Sequence, residues 1–265
     1  MFTTKNGALV YAYDNEAVTV EAWGPGALRV RATANAVYTG RDWALLPKAE
    51  TEAEIAIDAD GGASIRSGGI TGRFDRNGCL TFYNSRGEEL LGESWRRLRD
   101  KPSLALNRSA REMKPLGGSS FRLAMRFRSY DGEKLFGMGQ YQMKYLNLKG
   151  CALELAHRNS QASVPFVLSS RGYGFLWNNP AIGKCVFGVN ETEWSAESTP
   201  ELDYWICAGD TPAAIEETYA AAVGTVPLMP DYGTGFWQCK LRYRSQEELM
   251  AVARKHKSLG LPMSV

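Results

Sequence analysis

Ala17-Val18-Thr19-Val20-Glu21-Ala22-Trp23-Gly24-Pro25-Gly26-Ala27-Leu28-Arg29-Val30-Arg31-Ala32 decides the fold class. Two runs of roughly alternating apolar and polar residues flank Gly-Pro-Gly. Strand side chains alternate between faces, and Gly and Pro supply the dihedrals that reverse a chain. The stretch therefore predicts a β-hairpin with one buried face.

The same grammar repeats on both sides of a turn signal further along. Glu52–Ile57 precedes Asp58-Ala59-Asp60-Gly61-Gly62, and Ile70–Phe74 precedes Asp75-Arg76-Asn77-Gly78. Asn-Gly favours hairpins because both residues tolerate positive φ. Leu80–Tyr83 reads as the returning strand, and Ser120–Phe127 as a longer one that alternates apolar with basic residues. Many short strands with regular turns predict a β-sandwich. Arg96–Pro115, rich in Arg, Lys, Ser and Asn, reads as a mobile surface loop.

Helical spacing first emerges after Gly209. Thr211 is placed as an N-cap with Pro212 at the first helical position, and Ile215, Thr218, Tyr219 and Ala222 share a face that ends at Gly224. Val226-Pro227-Leu228-Met229-Pro230 is a stiff connector, so a domain boundary is expected between residues 1–225 and 226–265. Beyond it, Gly235–Lys240 suits a buried parallel strand. Ser245 and Glu248 form a capping-box pair, and Leu249, Val252, Ala253 and His256 follow at helical spacing up to Gly260. Pro262–Val265 has room to begin another strand. A lone strand–helix unit has nothing to close against, so either it docks on the sandwich or a larger β/α domain follows it.

Composition narrows the function classes. The 265 residues carry a net charge of +2 with acidic and basic groups interspersed, which excludes a nucleic-acid footprint. No apolar run reaches the length of a membrane span, and no secretory leader is visible at Met1–Gly7. Five scattered cysteines without paired spacing argue for core residues in a reducing cytoplasm rather than disulfides or zinc. Two histidines far apart offer no metal site, and His256 reads as a packed helix residue. Gly137-x-Gly139 and Gly172-x-Gly174 do not continue into a dinucleotide loop, and Ser169-Ser170-Arg171-Gly172 is not a nucleophile elbow. No metal and no cofactor are expected. Trp177, Trp194, Trp205 and Trp237 are assigned to the core rather than to sugar stacking.

Five ordered segments then carry a resemblance. They are Leu135-Phe136-Gly137-Met138-Gly139-Gln140, Leu155-Ala156-His157-Arg158-Asn159, Val164-Pro165-Phe166 through Ser169-Ser170-Arg171-Gly172-Tyr173-Gly174 to Asn178-Asn179-Pro180, Leu202-Asp203-Tyr204 through Gly209-Asp210-Thr211-Pro212, and Gly235-Phe236-Trp237-Gln238 with Arg242-Tyr243. They resemble the signatures of family 31 glycoside hydrolases. Trp23-Gly24-Pro25 and Asp42-Trp43-Ala44-Leu45-Leu46 match more loosely.

The resemblance implies a mainly β fold: a galactose-mutarotase-like β-sandwich followed by the first β/α unit of an incomplete (β/α)8 barrel. It implies an α-linked oligosaccharide as ligand and retaining hydrolysis of α-glucosides or α-xylosides by two aspartates on later barrel strands, beyond Val265. No catalytic residue is therefore assigned, and the chain alone is expected to be inactive. Glu191, Glu193, Asp203, Glu247 and Glu248 are read as solvated charge. By the same resemblance, Tyr243 matches an aromatic beside the sugar, and Gln140, Arg158 and Asn159 match a pocket-facing loop. A core tyrosine at the start of the first barrel helix and a structural ion pair for Arg158 remain open alternatives. A free-standing carbohydrate-binding sandwich is the rival function. An aldose mutarotase is weaker, because its acid/base pair needs a histidine or glutamate in a sandwich cleft.

Overall fold

The computed structural model describes residues 1–95 and 108–265. Its strands follow in chain order. β1 (Phe2–Lys5), β2 (Ala8–Tyr13), β3 (Glu16–Ala22) and β4 (Ala27–Thr33) form one antiparallel meander. β5 (Glu54–Ile57), β6 (Ala63–Ser67), β7 (Ile70–Phe74), β8 (Leu80–Asn84) and β9 (Glu89–Gly92) form a second. Then come β10 (Arg111–Gly117), β11 (Ser120–Arg128), β12 (Leu135–Gln140), β13 (Ala152–Leu155), β14 (Ala162–Ser169), β15 (Tyr173–Trp177), β16 (Gly183–Phe187), β17 (Glu191–Thr199) and β18 (Leu202–Ala208).

Strand β18 closes the arrangement by pairing with β4, which joins the first meander to β15, β14 and β12 in one eight-stranded sheet. The order β10-β11-β17-β16-β13 makes the facing sheet. Between them lies a continuous apolar core. Phe127 meets Phe175 and Tyr204 edge-on at 5.3 and 5.6 Å, and Trp177 stacks on Trp194 at 5.8 Å. Aromatic pairs of this geometry add about 1 kcal/mol each beyond the area they bury. The β5–β9 sheet packs its Ile65, Phe74 and Phe82 into the same core from the side of β2–β4.

The hairpin of β3 and β4 forms with Ala22 opposite Leu28. Its burial differs from the one-sided expectation. Along β4 only Arg31 keeps partial exposure, because the neighbouring sheet covers one face and an irregular strap, residues 39–46, reaches the other. The Asn77-Gly78 turn also departs from two successive positive-φ residues. Only Gly78 is left-handed, at φ 78°, while Asp75 Oδ1 accepts from the backbone of Asn77 and Cys79. An aspartate at the turn entrance thus satisfies the loop donors that a tighter turn would have left free.

Part of the stretch read as a loop is strand: Arg111–Gly117 is β10, paired with β11 from Arg111–Met125 onward. It closes a hairpin with β11 across Gly117-Gly118, both of which have positive φ. Residues 96–107 of that expectation lie outside the described residues.

Helix α1 (Pro212–Val223) starts as expected, with Thr211 Oγ1 accepting from Ala214 N at 3.2 Å and Gly224 at its end. It seats Ile215 on the eight-stranded sheet and stacks Tyr219 on Phe166 at 3.8 Å. Residues 1–224 form one compact unit and 225–265 another.

In the second unit, α2 (Gln246–Ser258) carries the expected cap, Ser245 Oγ accepting from Glu248 N. It ends in a Schellman motif at Gly260, φ 66°, where Gly260 N donates to Lys257 O and Leu261 N to His256 O. The buried strand expected at Gly235–Lys240 is absent. A 3-10 turn (Asp231–Thr234) precedes it, and Phe236 and Trp237 are 51% and 54% exposed, so Trp237 is not core. What exists is a short side-by-side contact. Gln238 N donates to Val265 O at 2.8 Å, and Phe236 O accepts from Ser264 N at 2.9 Å. No residue of α2 is buried.

Candidate functional site

The candidate rim sits at one edge of the sandwich, and glycine geometry puts it there. Gly137, Met138 and Gly139 have φ of 107°, 69° and 87° in succession. The register of β12 against β14 slips across them, so the strand is wound through a bulge. A side chain on Gly137 would sit 2.8 Å from Phe166 O, and one on Gly139 would sit 2.3 Å from Ala162 O. Only glycine fits both places. Met138 turns inward and is buried, and Gln140 emerges exposed at the strand's end, opposite Ala162.

The turn between β13 and β14 meets Gln140 there. Arg158 pairs with Gln161, one residue before Ala162, and Ser160 takes φ 64° at the tip. Gln140, Arg158 and Asn159 are therefore neighbours on one edge, and all three are exposed. Tyr141 fastens the base of this rim by donating to Glu154 O at 2.7 Å.

Arg158 does make the structural pair left open above. Its Nε reaches Glu154 Oε2 at 3.0 Å and its Nη2 reaches Oε1 at 2.6 Å. The hydrogen bonds from Arg158 hold the Glu154 carboxyl below its usual range. An exposed fork of this kind contributes little stability. It does fix the direction of the guanidinium. Such a surface offers amide and guanidinium donors with amide acceptors, a set suited to sugar hydroxyls.

Tyr243 belongs to the second unit. It is half-buried, its hydroxyl accepts from Gln238 Nε2 at 3.1 Å, and Lys240 Nζ lies 5.7 Å from its ring centre.

The carboxylates read as solvated divide into three groups. Glu247 and Glu248 lie on the first turn of α2, where the helix dipole and free N–H groups favour negative charge, and Glu248 pairs with Lys240. Glu191 and Glu193 are partly covered by arginines: Arg108 bonds Glu191, and Arg126 Nε bonds Glu193 Oε2 at 2.6 Å. Asp203 contradicts the reading outright, being 0% exposed.

Arg29 Nε donates to Asp203 Oδ1 at 3.0 Å, and Arg29 Nη2 donates to Oδ2 at 2.6 Å. Asn178 Nδ2 adds a third donor at 2.9 Å. Burial pushes the Asp203 carboxyl up to about 6, against the pull of Arg29 and Asn178. It is ionised at neutral pH and occupied on both oxygens, which leaves it no part in bond cleavage. The local alternation around Asp203 gave no hint of this, because its partner lies 174 residues away.

Among the described residues, no group of three or more His, Cys, Asp or Glu residues stands where it could hold a metal ion, and no helix is long and apolar enough to cross a membrane.

Similarity to known proteins agrees with this architecture. The sequence model of the glycosyl hydrolase 31 N-terminal galactose mutarotase-like domain matches residues 17–185. An uncharacterised family 31 glucosidase of Pseudescherichia vulneris is 48% identical over 97% of this chain and 51% of its own length. Alpha-xylosidase A of Aspergillus niger is 33% identical over 57% of this chain and 21% of its own. A crystal structure of a family 31 α-xylosidase from a soil metagenome, complexed with xylose, superposes with a TM-score of 0.88. It has 48% identity and covers 99% of this chain and 40% of that one. The chain thus spans about half the length of the first of these curated relatives and about a fifth of the second. The matched domain, with the sandwich that carries it, places the chain in glycoside hydrolase family 31.

Proposed function

We propose that this chain is the N-terminal part of a retaining α-glycosidase that acts on α-linked glucosides or xylosides. Its sandwich supplies the wall and rim of the sugar pocket. The observation that carries this reading is the family match over residues 17–185, joined to 48% identity with a family 31 glucosidase along nearly the whole chain.

The catalytic pair lies outside these residues. Retention needs two carboxyl groups about 5–5.5 Å apart, one nucleophile and one acid/base. The buried Asp203 is consumed by Arg29, and Glu154, Glu191 and Glu193 are each paired with arginine. On this reading residues 226–265 begin a (β/α)8 barrel; helix α2 and the short parallel contact of Phe236–Gln238 with Ser264–Val265 support it, although no strand has formed there.

On this reading Gln140, Arg158 and Asn159 on the sandwich hydrogen-bond sugar hydroxyls. In the second unit, taken by itself, Tyr243 offers an aromatic face to a pyranose. An aromatic face accepts the apolar C–H face of a pyranose. The ligand is an α-linked oligosaccharide, with no cofactor. A reducing cytoplasm suits five free cysteines, of which Cys185 and Cys207 are buried core residues.

The test is hydrolysis of aryl α-xyloside and aryl α-glucoside by the full-length protein encoded by the gene, with the product anomer followed by NMR. Retained configuration is expected. Inversion, or no hydrolysis of either substrate, sinks the proposal.

A further inference from the structure

Outside the rim, one residue is held in a conformation that its own chemistry opposes. Trp43 has φ 53°, the left-handed region. A bulky side chain is a rare occupant there, whereas Gly and Asn adopt it readily. Something else must fix the backbone.

That something is Asn178, which is 1% exposed. Its Nδ2 donates to Asp42 O at 3.0 Å, and its Oδ1 accepts from Ala44 N at 3.1 Å. One buried side-chain amide therefore grips the backbone on both sides of Trp43. Asn178 is itself fixed by Asp203. Arg29 adds two further anchors on the same strap, Nη1 to Asp42 Oδ1 at 2.6 Å and Nη2 to Arg41 O at 2.9 Å.

The outcome is an indole turned outward and kept there. Trp43 is 39% exposed, and the Arg41 guanidinium lies over its ring at 5.2 Å. On the strap, Thr39, Gly40 and Arg41 before it are exposed and Asp42 is half-exposed; after it come exposed Ala44, buried Leu45 and Leu46, which is 45% exposed. The aromatic of a protein-binding hot spot sits in a well-packed, fully desolvated pocket. A sugar needs the opposite, one flat apolar face with charged or polar groups at its margin. Strain held at a displayed side chain points to use rather than packing.

We propose that Trp43 is a sugar platform on the sandwich, its exposed indole surface receiving one pyranose ring of an α-linked oligosaccharide beside the Arg41 guanidinium that lies over the ring. The inference rests on the reading that the protein handles such oligosaccharides. Its failure is separable from the failure of that reading, which is decided by hydrolysis in the full-length protein.

The test is NMR titration of the 265-residue chain with maltotriose, isomaltotriose and methyl α-xyloside. The Trp43 indole N–H resonance is assigned by its loss in Trp43→Asn, a residue that tolerates the left-handed backbone. A saturable shift of that resonance is expected with at least one sugar. Binding should weaken about tenfold or more in Trp43→Asn and persist within about threefold in Trp43→Phe, with both variants melting cooperatively. Two results overturn the proposal: no saturable shift with any of the three sugars, or binding by Trp43→Asn equal to that of the parent sequence.

Discussion

Arg29 on β4 and Asp203 on β18 are joined by two parallel hydrogen bonds, Nε to Oδ1 at 3.0 Å and Nη2 to Oδ2 at 2.6 Å. Both side chains are fully buried, and the pair fastens the two halves of the eight-stranded sheet at the seam between β4 and β18. Removing one partner leaves a buried charge without its counterion, which costs about 3–5 kcal/mol. Arg29→Met should therefore destabilise residues 1–224 by that amount in urea. Arg29→Met with Asp203→Leu should recover a large part of the loss. A double variant no better than the single one would show that the pair's charge complementarity is not what the sheet depends on.

The same carboxylate has a pH signature with a definite sign. Asp203 sits near 6 against an ordinary 3.8, so the folded chain holds its proton more tightly than the unfolded chain. Between pH 4 and 6 the folded state binds more protons at this position, so the group's contribution to stability falls as pH rises and is level above about 7. The stability difference between the parent sequence and Asp203→Asn should decline over pH 4–6 and then stay flat. Denaturant titrations at pH 4, 5, 6 and 7 decide this. A difference that grows with pH would mean that the arginine fork outweighs burial.

The wound bulge at Gly137–Gly139 should resist any side chain. Gly139→Ala places a methyl against Ala162 O and Val164 N in a left-handed backbone. A loss of about 2 kcal/mol or more is expected, with faster amide exchange in residues 141–149. Unchanged stability and exchange would mean that the bulge relaxes freely and does not aim Gln140.

Gly174 serves packing rather than turning. A side chain there would meet Ile215 Cγ2 at 2.7 Å and the Phe166 ring at 2.9 Å. Gly174→Val should lift α1 from the sheet, exposing Tyr219 and lowering the melting temperature by several degrees. Thr211→Ala, which removes the cap of the same helix, should cost only about 1 kcal/mol. Equal losses for both would contradict the packing role.

Alternation and turns made the hairpins, the sandwich class and both helix starts legible, because those features are local. Thr211 and Ser245 cap their helices where the sequence placed them. Two errors have different causes. The β10 strand closes a local hairpin with β11 across Gly117-Gly118, but its charged residues Arg111, Glu112 and Lys114 mask the alternation, whereas the burial of Asp203 depends on Arg29, far along the chain. The Gly235–Lys240 segment fails in the opposite direction, since its apolar residues suit a buried strand but find no cover within residues 225–265. For the candidate rim, the Gly-Met-Gly triplet was visible, but its three positive φ values follow from contact with β14. Trp43 stands in a segment that matches the family only loosely, and nothing local marks its strain, which Asn178 imposes from far along the sequence.

The most direct measurement concerns the placement of the catalytic pair outside residues 1–265. Purified 1–265 is incubated with p-nitrophenyl α-xyloside and α-glucoside, and release of p-nitrophenol is followed against buffer. No release above buffer is expected. Turnover that disappears in Glu154→Gln, Glu191→Gln or Glu193→Gln would contradict the assignment and place cleavage chemistry within the sandwich itself.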